Sequence, residues 1–258
     1  MPHSFSLSLA AVDILLEHGR FGPAPVPFDV PHIGTTTDQR AMVREAVFRD
    51  LEGRGLMRGG RLDADADADV ELALATFVNP QLAVWAVAQM DKDKQLFARA
   101  ATNGQFAVVT RQEENLLVFE ETRPTAIVAS IVDLLPLTPA GPGQSVTIAK
   151  PASAPKRPRN DDAYDPFANV SGPRSHGSNP QQRQVERIFE KPKTRVGQFS
   201  VFIRGGQVFP PLAWFDTEAG RFMMTSRQAA DGQSWLTYAP ADNARIAQQL
   251  YAQLEGQF

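Results

Sequence analysis

The 258-residue chain contains no cysteine. That excludes disulfides, thiol catalysis and thiolate-held metals, and it agrees with a reducing compartment. Histidine is scarce. His3, His18, His32 and His176 fall in a tail, a helix end, a proline-rich loop and a linker, and none has a partner at metal-ligand spacing, so neither a metal nor a cofactor is expected. Neither sign of charge dominates: the formal net charge of −3 gives no general pull toward nucleic acid or anionic membrane. Long apolar runs are missing as well. No stretch approaches the about 18 residues that span a bilayer, and residues 7–16, interrupted by Asp13 and with no basic region before them, make a poor signal peptide. A soluble, cytoplasmic protein is the expectation. The sequence also lacks a phosphate-cradling loop, since Gly141-Pro-Gly143 has neither a third glycine nor a following Lys-Ser/Thr, and it has no Gly-x-Ser-x-Gly elbow. Acid pairs such as Glu113-Glu114 and Glu120-Glu121 sit at predicted strand ends, where solvated carboxylates are the rule. On motifs, an enzyme is disfavoured.

The chain is 43% hydrophobic, enough for a substantial core. Residues 4–7 predict a short strand. From Ser8, Leu9, Val12, Leu15 and Leu16 recur at helical spacing up to Gly19. A proline-dense stretch, 21–34, must run extended over the surface. Thr37 or Asp38 caps a second helix with Met42, Val43, Ala46, Val47 and Leu51 on one face, and Gly53 and Gly55 end it. Asp63, Asp65, Asp67 and Asp69 alternate with alanine, but neither register from Asp63 or Asp65 offers the glycine and glutamate of a calcium loop. The run reads as an acidic lead-in to a helix at 70–78, which Asn79-Pro80 closes.

After Pro80 the period becomes strand-like. Segments 82–90, 95–101, 105–111 and 116–121, joined by short turns, predict an antiparallel meander. Pro124 opens an apolar helix, read as buried against the sheet and another helix. Residues 136–180 are rich in Pro, Gly, Ser, Asn and Asp, with one short strand at 146–148 and a linker at 151–180 that carries the basic cluster Lys156, Arg157 and Arg159. A short helix from Gln181, marked by Val185, Ile188 and Phe189, precedes a second meander at 198–204, 212–217, 221–226 and 235–238. Pro240 then opens the last helix.

Both halves therefore read helix, four-strand meander, proline, helix. Gly104 and Gly220, Phe106 and Phe222, Pro124 and Pro240, and Leu134 and Leu250 are each 116 residues apart. The predicted class is α+β, one domain of two similar units about a pseudo-two-fold, with halves at 1–136 and 181–258 and a crossover at 137–180. Residues 215–222 read as a hairpin whose turn needs the positive φ that Gly220 can take. Asp216 and Thr217 are expected to bond turn amides rather than do chemistry.

Several phrases together resemble the EspG family of type VII (ESX) secretion chaperones of actinobacteria. They are Asp216-Thr217 with Gly220-Arg221, Asp231-Gly232, Trp235 to Thr237 and Pro240-Ala-Asp242, preceded in the first half by Gly55-Leu56, Arg61-Leu-Asp63, Leu74 and Pro80. The Asp-Ala run and the linker depart from the family pattern. The resemblance implies a central antiparallel sheet between N- and C-terminal helical bundles, the C-terminal one reduced here, in a non-enzymatic protein, monomeric or weakly dimeric. It also implies that the chain binds the apolar tip of a PPE subunit in a PE–PPE heterodimer, without ATP. Binding would use the sheet, the C-terminal bundle and the loop between the first two meander strands. Here that points to Asp91, Lys92, Asp93 and Lys94, with Arg99 and Arg204 as sheet-face contacts. Gly104, Asp216, Thr217, Gly220 and Arg221 take structural roles, Arg221 by bracing neighbouring carbonyls or carboxylates. Two other readings stand beside it: an enzyme with a site between the halves, and a general interaction domain.

Overall fold

The computed structural model describes residues 3–62, 69–149, 183, 187–206, 209–229 and 232–255. The Asp63, Asp65 and Asp67 positions, the 151–180 linker with Lys156, Arg157 and Arg159, and the helix start at Gln181 and Val185 lie outside these residues.

Strand β1 (Ser4–Ser8) runs directly into α1 (Leu9–His18), where the Ser8 hydroxyl accepts from the Ala11 amide at 3.1 Å. Helix α2 (Thr37–Gly53) starts in a capping box between Thr36 and Gln39. A small hairpin, β2 (Met57–Arg58) and β3 (Arg61–Leu62), follows; it is too short to leave a periodic signal. Asp69 caps α3 (Val70–Val78) through the Leu72 amide at 2.8 Å, so the last aspartate of the run does lead into a helix. The first meander is β4 (Leu82–Asp91), β5 (Lys94–Thr102), β6 (Ala107–Glu113) and β7 (Leu116–Thr122). A 3-10 turn (Pro124–Ala126) leads into α4 (Ile127–Val132), and β8 (Val146–Ala149) comes next. A helical turn at residues 187–190, labelled α5, precedes the second meander: β9 (Lys193–Ile203), β10 (Leu212–Thr217), β11 (Gly220–Gln228) and β12 (Ser234–Pro240). Helix α6 (Asn243–Gln253) ends the described chain. Pro240 does not open that helix. It closes β12 opposite Phe222, and Asp242 caps α6 through the Arg245 amide at 2.8 Å.

Ten strands form one antiparallel sheet in the order β1-β7-β6-β5-β4-β9-β10-β11-β12-β8. The first strands of the two meanders meet in the middle, from Leu82 opposite Ile203 to Gln89 opposite Val196. At one outer edge Arg54 donates to the Ser6 carbonyl at 2.6 Å, which blunts β1 as a template for further pairing.

Alternation along the strands sorts side chains onto two faces. On one face Leu82, Val84, Ala86 and Ala88 of β4, Phe199 and Val201 of β9, and Trp214 of β10 pack beneath α4 and α6, around Ile131, Val132, Ile246 and Leu250. On the other face α1, α2 and α3 cover the first half, with Leu15, Leu51, Leu74, Phe77 and Phe119 at the centre. The second half of that face is a smaller cluster of Val146, Ile148, Phe215, Phe222, Met224 and Tyr238, against which Ile188 and Phe189 of α5 rest. Each fully buried large apolar side chain contributes about 1.5–3 kcal/mol relative to exposure. Among the described residues, only the core beneath α4 and α6 draws on both halves of the chain.

Candidate functional site

The face opposite α4 and α6 is covered at its two ends and thinly in its middle. Trp85 and Phe202 lie there as diagonal neighbours, because Trp85 faces Ser200 and Phe202 faces Ala83 across the β4–β9 ladder. Neither belongs to any of the three cores. Trp85 is half-buried, and Phe202 is 41% exposed. Val26, 59% exposed, borders the strip from the proline-rich segment, and half-buried Phe97, opposite Val87 on β5, extends it. Exposed large apolar groups gathered on one rigid sheet surface mark an interaction site more often than scattered ones do.

Arg99 does not present its charge on this surface as expected. It is buried, with Nε donating to the Phe77 carbonyl at 3.2 Å and Nη1 to the Val26 carbonyl at 3.1 Å, while its guanidinium carbon sits 5.9 Å from the Trp85 ring centre. Burial pushes it down to about 10, which leaves it charged at neutral pH. Its place is beneath the strip, where it ties the proline-rich segment and the end of α3 to β5. Alternation places Arg99 on this face, but nothing in the sequence marks residues 21–34 as a cover for it.

The Asp91-Lys92-Asp93-Lys94 turn is exposed and closes one end of the β4–β5 hairpin, with Lys92 and Asp93 as its central pair and Asp91 opposite Lys94. Gln89 braces it from below, its amide donating to the Asp91 carbonyl and to that of Lys92 at 3.2 Å. The turn lies six residues along β4 from Trp85, about 20 Å at strand rise. Arg204 is at the opposite end, one residue beyond β9. Its guanidinium is turned away from the strip onto the Pro80 carbonyl, at 3.2 Å, and the Asn79 carbonyl.

The remaining singled-out residues lie elsewhere. Gly104, φ +96, sits in a four-residue turn where the Asn103 side chain accepts from the amides of Gln105 and Phe106 at 3.0 and 2.8 Å. Gly220, φ +120, opens β11 directly opposite Thr217. The Thr217 hydroxyl accepts from the Ala219 amide at 3.2 Å and donates to the Gly220 carbonyl at 3.0 Å. Asp216 does not bond turn amides. It faces Arg221 across the β10–β11 ladder, accepting from its Nε at 2.7 Å and its Nη2 at 3.0 Å, and it is also reached by Arg195 and the Thr138 hydroxyl, both at 3.3 Å. Arg221 is wholly buried and bonds the Pro136 carbonyl at 3.1 Å, the Thr138 hydroxyl at 3.2 Å and the Asn243 side chain, with Trp214 4.7 Å from its guanidinium carbon. This ion pair lies under the junction of α4 and α6, on the face away from the strip.

A groove of about 890 Å³ is bordered by His3, Glu120, Glu121, Arg123, Ser130 and Asp133. One of its acids is engaged: Glu120 accepts from Arg111 at 3.1 Å. No group of three or more metal-ligating side chains occurs among the described residues, and none of their helices is long and apolar enough to cross a membrane.

The ten-stranded sheet thus packs beneath α4 and α6 on one face and leaves Phe202 and Val26 exposed on the other. The family follows from the sequence: the EspG family profile matches residues 8–252, and the chain belongs to that family. Among solved structures, the Mycobacterium tuberculosis type VII secretion system chaperone EspG5, in complex with a PE25–PPE41 dimer, is similar in fold, with a TM-score of 0.58 and 13% identity over 95% of this chain and 93% of that one. No curated protein sequence matches the chain.

Proposed function

We propose that this protein is a cytoplasmic, non-enzymatic chaperone of type VII secretion. It binds the apolar tip of a PPE-like subunit in a PE–PPE heterodimer, keeps that tip from aggregating and directs the pair to the secretion system. The observation that carries this reading is the strip of Trp85, Phe97 and Phe202 on an otherwise well-covered sheet, in a chain of the EspG family whose solved relative holds a PE–PPE dimer. Occupying an exposed apolar patch lowers the aggregation-competent population by mass action, so no ATP is needed. Trp85 is the anchor, since buried aromatics dominate binding energy. The Asp91 to Lys94 turn forms the charged rim at one end, where paired opposite charges set orientation more than affinity. Arg99 holds the strip from beneath and Arg204 holds its end at Pro80, and neither is assigned a contact with the partner.

The chain is read as one domain of two related units, as a monomer or weak dimer. Strand β1 with its helices, the first meander and α4 correspond to β8 with α5, the second meander and α6, about an axis through the β4–β9 ladder. Gly104 stands in the turn between the second and third strands of the first meander and Gly220 opens the third strand of the second, the first turn being two residues longer.

Co-expression with a PE–PPE pair and size-exclusion chromatography should give a stable ternary complex; persistent separate elution of the well-folded chain overturns the reading. Trp85→Ala should weaken binding by about thirtyfold with little change in thermal unfolding. Unaltered binding would move the site off the strip.

A further inference from the structure

The bare strip does not stop at Phe202. Across the ladders, Phe97, Val87, Gln198, Ala213, Met224, Tyr238 and Val146 form one continuous row on the same face, from the strip into the small cluster under α5. Between strip and cluster that row is closed to water in the free protein, with Val87 and Gln198 at 4% and Ala213 at 1%, and the cluster itself lies under a cover. In the helical turn at residues 187–190 the two apolar residues, Ile188 and Phe189, are only half-buried, while the floor below them, Phe215 at 0% and Tyr238 at 1%, is closed to water. Phe189 lies 5.1 Å from the Phe215 ring and meets Tyr238 edge-on at 5.3 Å, with the Lys193 ammonium 4.8 Å from its own ring centre. The aromatic part of the cover is thus one side chain, Phe189, held by two rings and a cation, with Ile188 packed beside it on the cluster.

Beneath it the Tyr238 hydroxyl is buried with no hydrogen-bond partner among the described residues, and burial pushes its ionisation up to about 12. An orphaned donor of this kind carries a desolvation cost that an acceptor on a partner would relieve. A helix end supplies what it lacks, because the last four carbonyls of a helix have no partner within the helix.

We propose that the 187–190 turn is a strap occupying part of the partner's seat: docking lifts Phe189 from the floor of Phe215 and Tyr238, and the apolar end of a helical partner takes its place, with a terminal carbonyl accepting from the Tyr238 hydroxyl. This rests on the reading of the bare strip as a docking surface for a PE–PPE pair. It extends that surface across the second half of the sheet and makes affinity depend on the strap's opening equilibrium, because a binding-competent state populated to a fraction f weakens apparent affinity by that fraction.

Two measurements on the full chain test it. Without partner, Phe189→Ala should raise binding of a hydrophobic dye such as ANS several-fold while unfolding stays cooperative; no rise means the floor is not detachable and overturns the strap. With a PE–PPE pair, Phe189→Ala should bind about tenfold tighter than the unaltered chain, and Tyr238→Phe several-fold weaker with undiminished stability, since its hydroxyl has no partner among the described residues of the free protein. Weaker or unchanged binding by Phe189→Ala, or unchanged binding by Tyr238→Phe, overturns the proposal. Should Phe189→Ala not fold, Lys193→Ala removes the cation that sits over the Phe189 ring and, at 5.7 Å, over that of Phe215, and should shift affinity in the same direction to a smaller extent. If the unaltered chain does not bind the pair, the chaperone reading and the exchange of Phe189 for a partner fall together, and the dye measurement alone decides whether the strap lifts.

Discussion

Arg221 shows how much one side chain can hold. Its guanidinium joins the β10–β11 ladder to the chain after α4 and to the first turn of α6, and Asp216 opposite it is just as inaccessible. Removing one member of a buried pair leaves the other charge uncompensated, so Arg221→Met should lower unfolding free energy by about 3 kcal/mol or more in denaturant titration. The glycines are separable in the same way. At Gly220 an added Cβ would come within 2.7 Å of the Pro139 carbonyl oxygen and 2.8 Å of the Gly141 nitrogen, both main chain; at Gly104 its near neighbour is the Gln81 side-chain oxygen at 2.9 Å, which can move. Gly220→Ala should therefore cost about 2 kcal/mol or more and Gly104→Ala about 1 kcal/mol, read as the shift in denaturation midpoint. Asp13 carries a pH signature. Burial alone would raise its carboxyl, but hydrogen bonds from Arg40 and the Ile33 amide, with the Arg40 charge, hold it below the ordinary 3.8. A depressed carboxylate stabilises the fold fully above its unfolded value and loses that contribution as pH falls through the folded one. The stability gap between the native chain and Asp13→Asn, followed by thermal unfolding from pH 7 to pH 2, should be widest at neutral pH and close in acid.

At the scale of elements, the meanders were legible because strand alternation and short turns leave a strong local pattern, and β10 (Leu212–Thr217) was delimited to the residue. Helix α3 was also bounded correctly at Val70–Val78, since Asp69 and Asn79-Pro80 mark both of its ends. The failures lie where tertiary packing decides. Pro240 reads as a helix opener by its fixed φ, yet it pairs with Phe222 at the end of β12, and a capping aspartate two residues on starts α6. The strip could not be read from the sequence at all. Trp85 and Phe202 are 117 positions apart, and only the β4–β9 register makes them neighbours. The charged turn at Asp91 to Lys94 announces itself locally, whereas an apolar surface is defined by what fails to cover it.

The whole molecule depends on the central ladder. A fragment ending at residue 141 would expose β4, with Val84 and Ala86 in its middle, as a long edge that carries no charge from Leu82 to Met90, the kind that pairs with any available strand. Such a fragment should appear in light scattering as a dimer or larger aggregate and never as a folded monomer. The two halves of the intact chain are joined by that ladder and by a shared core on one face only, beneath α4 and α6. Mechanically this is a book bound along its spine. Twist or flexure about the β4–β9 line alters the angle between the covers while the binding stays packed, and the side free to open is the one that carries Trp85 and Phe202. For the docking role proposed above, a groove of adjustable width on a scaffold of fixed connectivity would let one sheet accept helical ends of different girth without rebuilding its core.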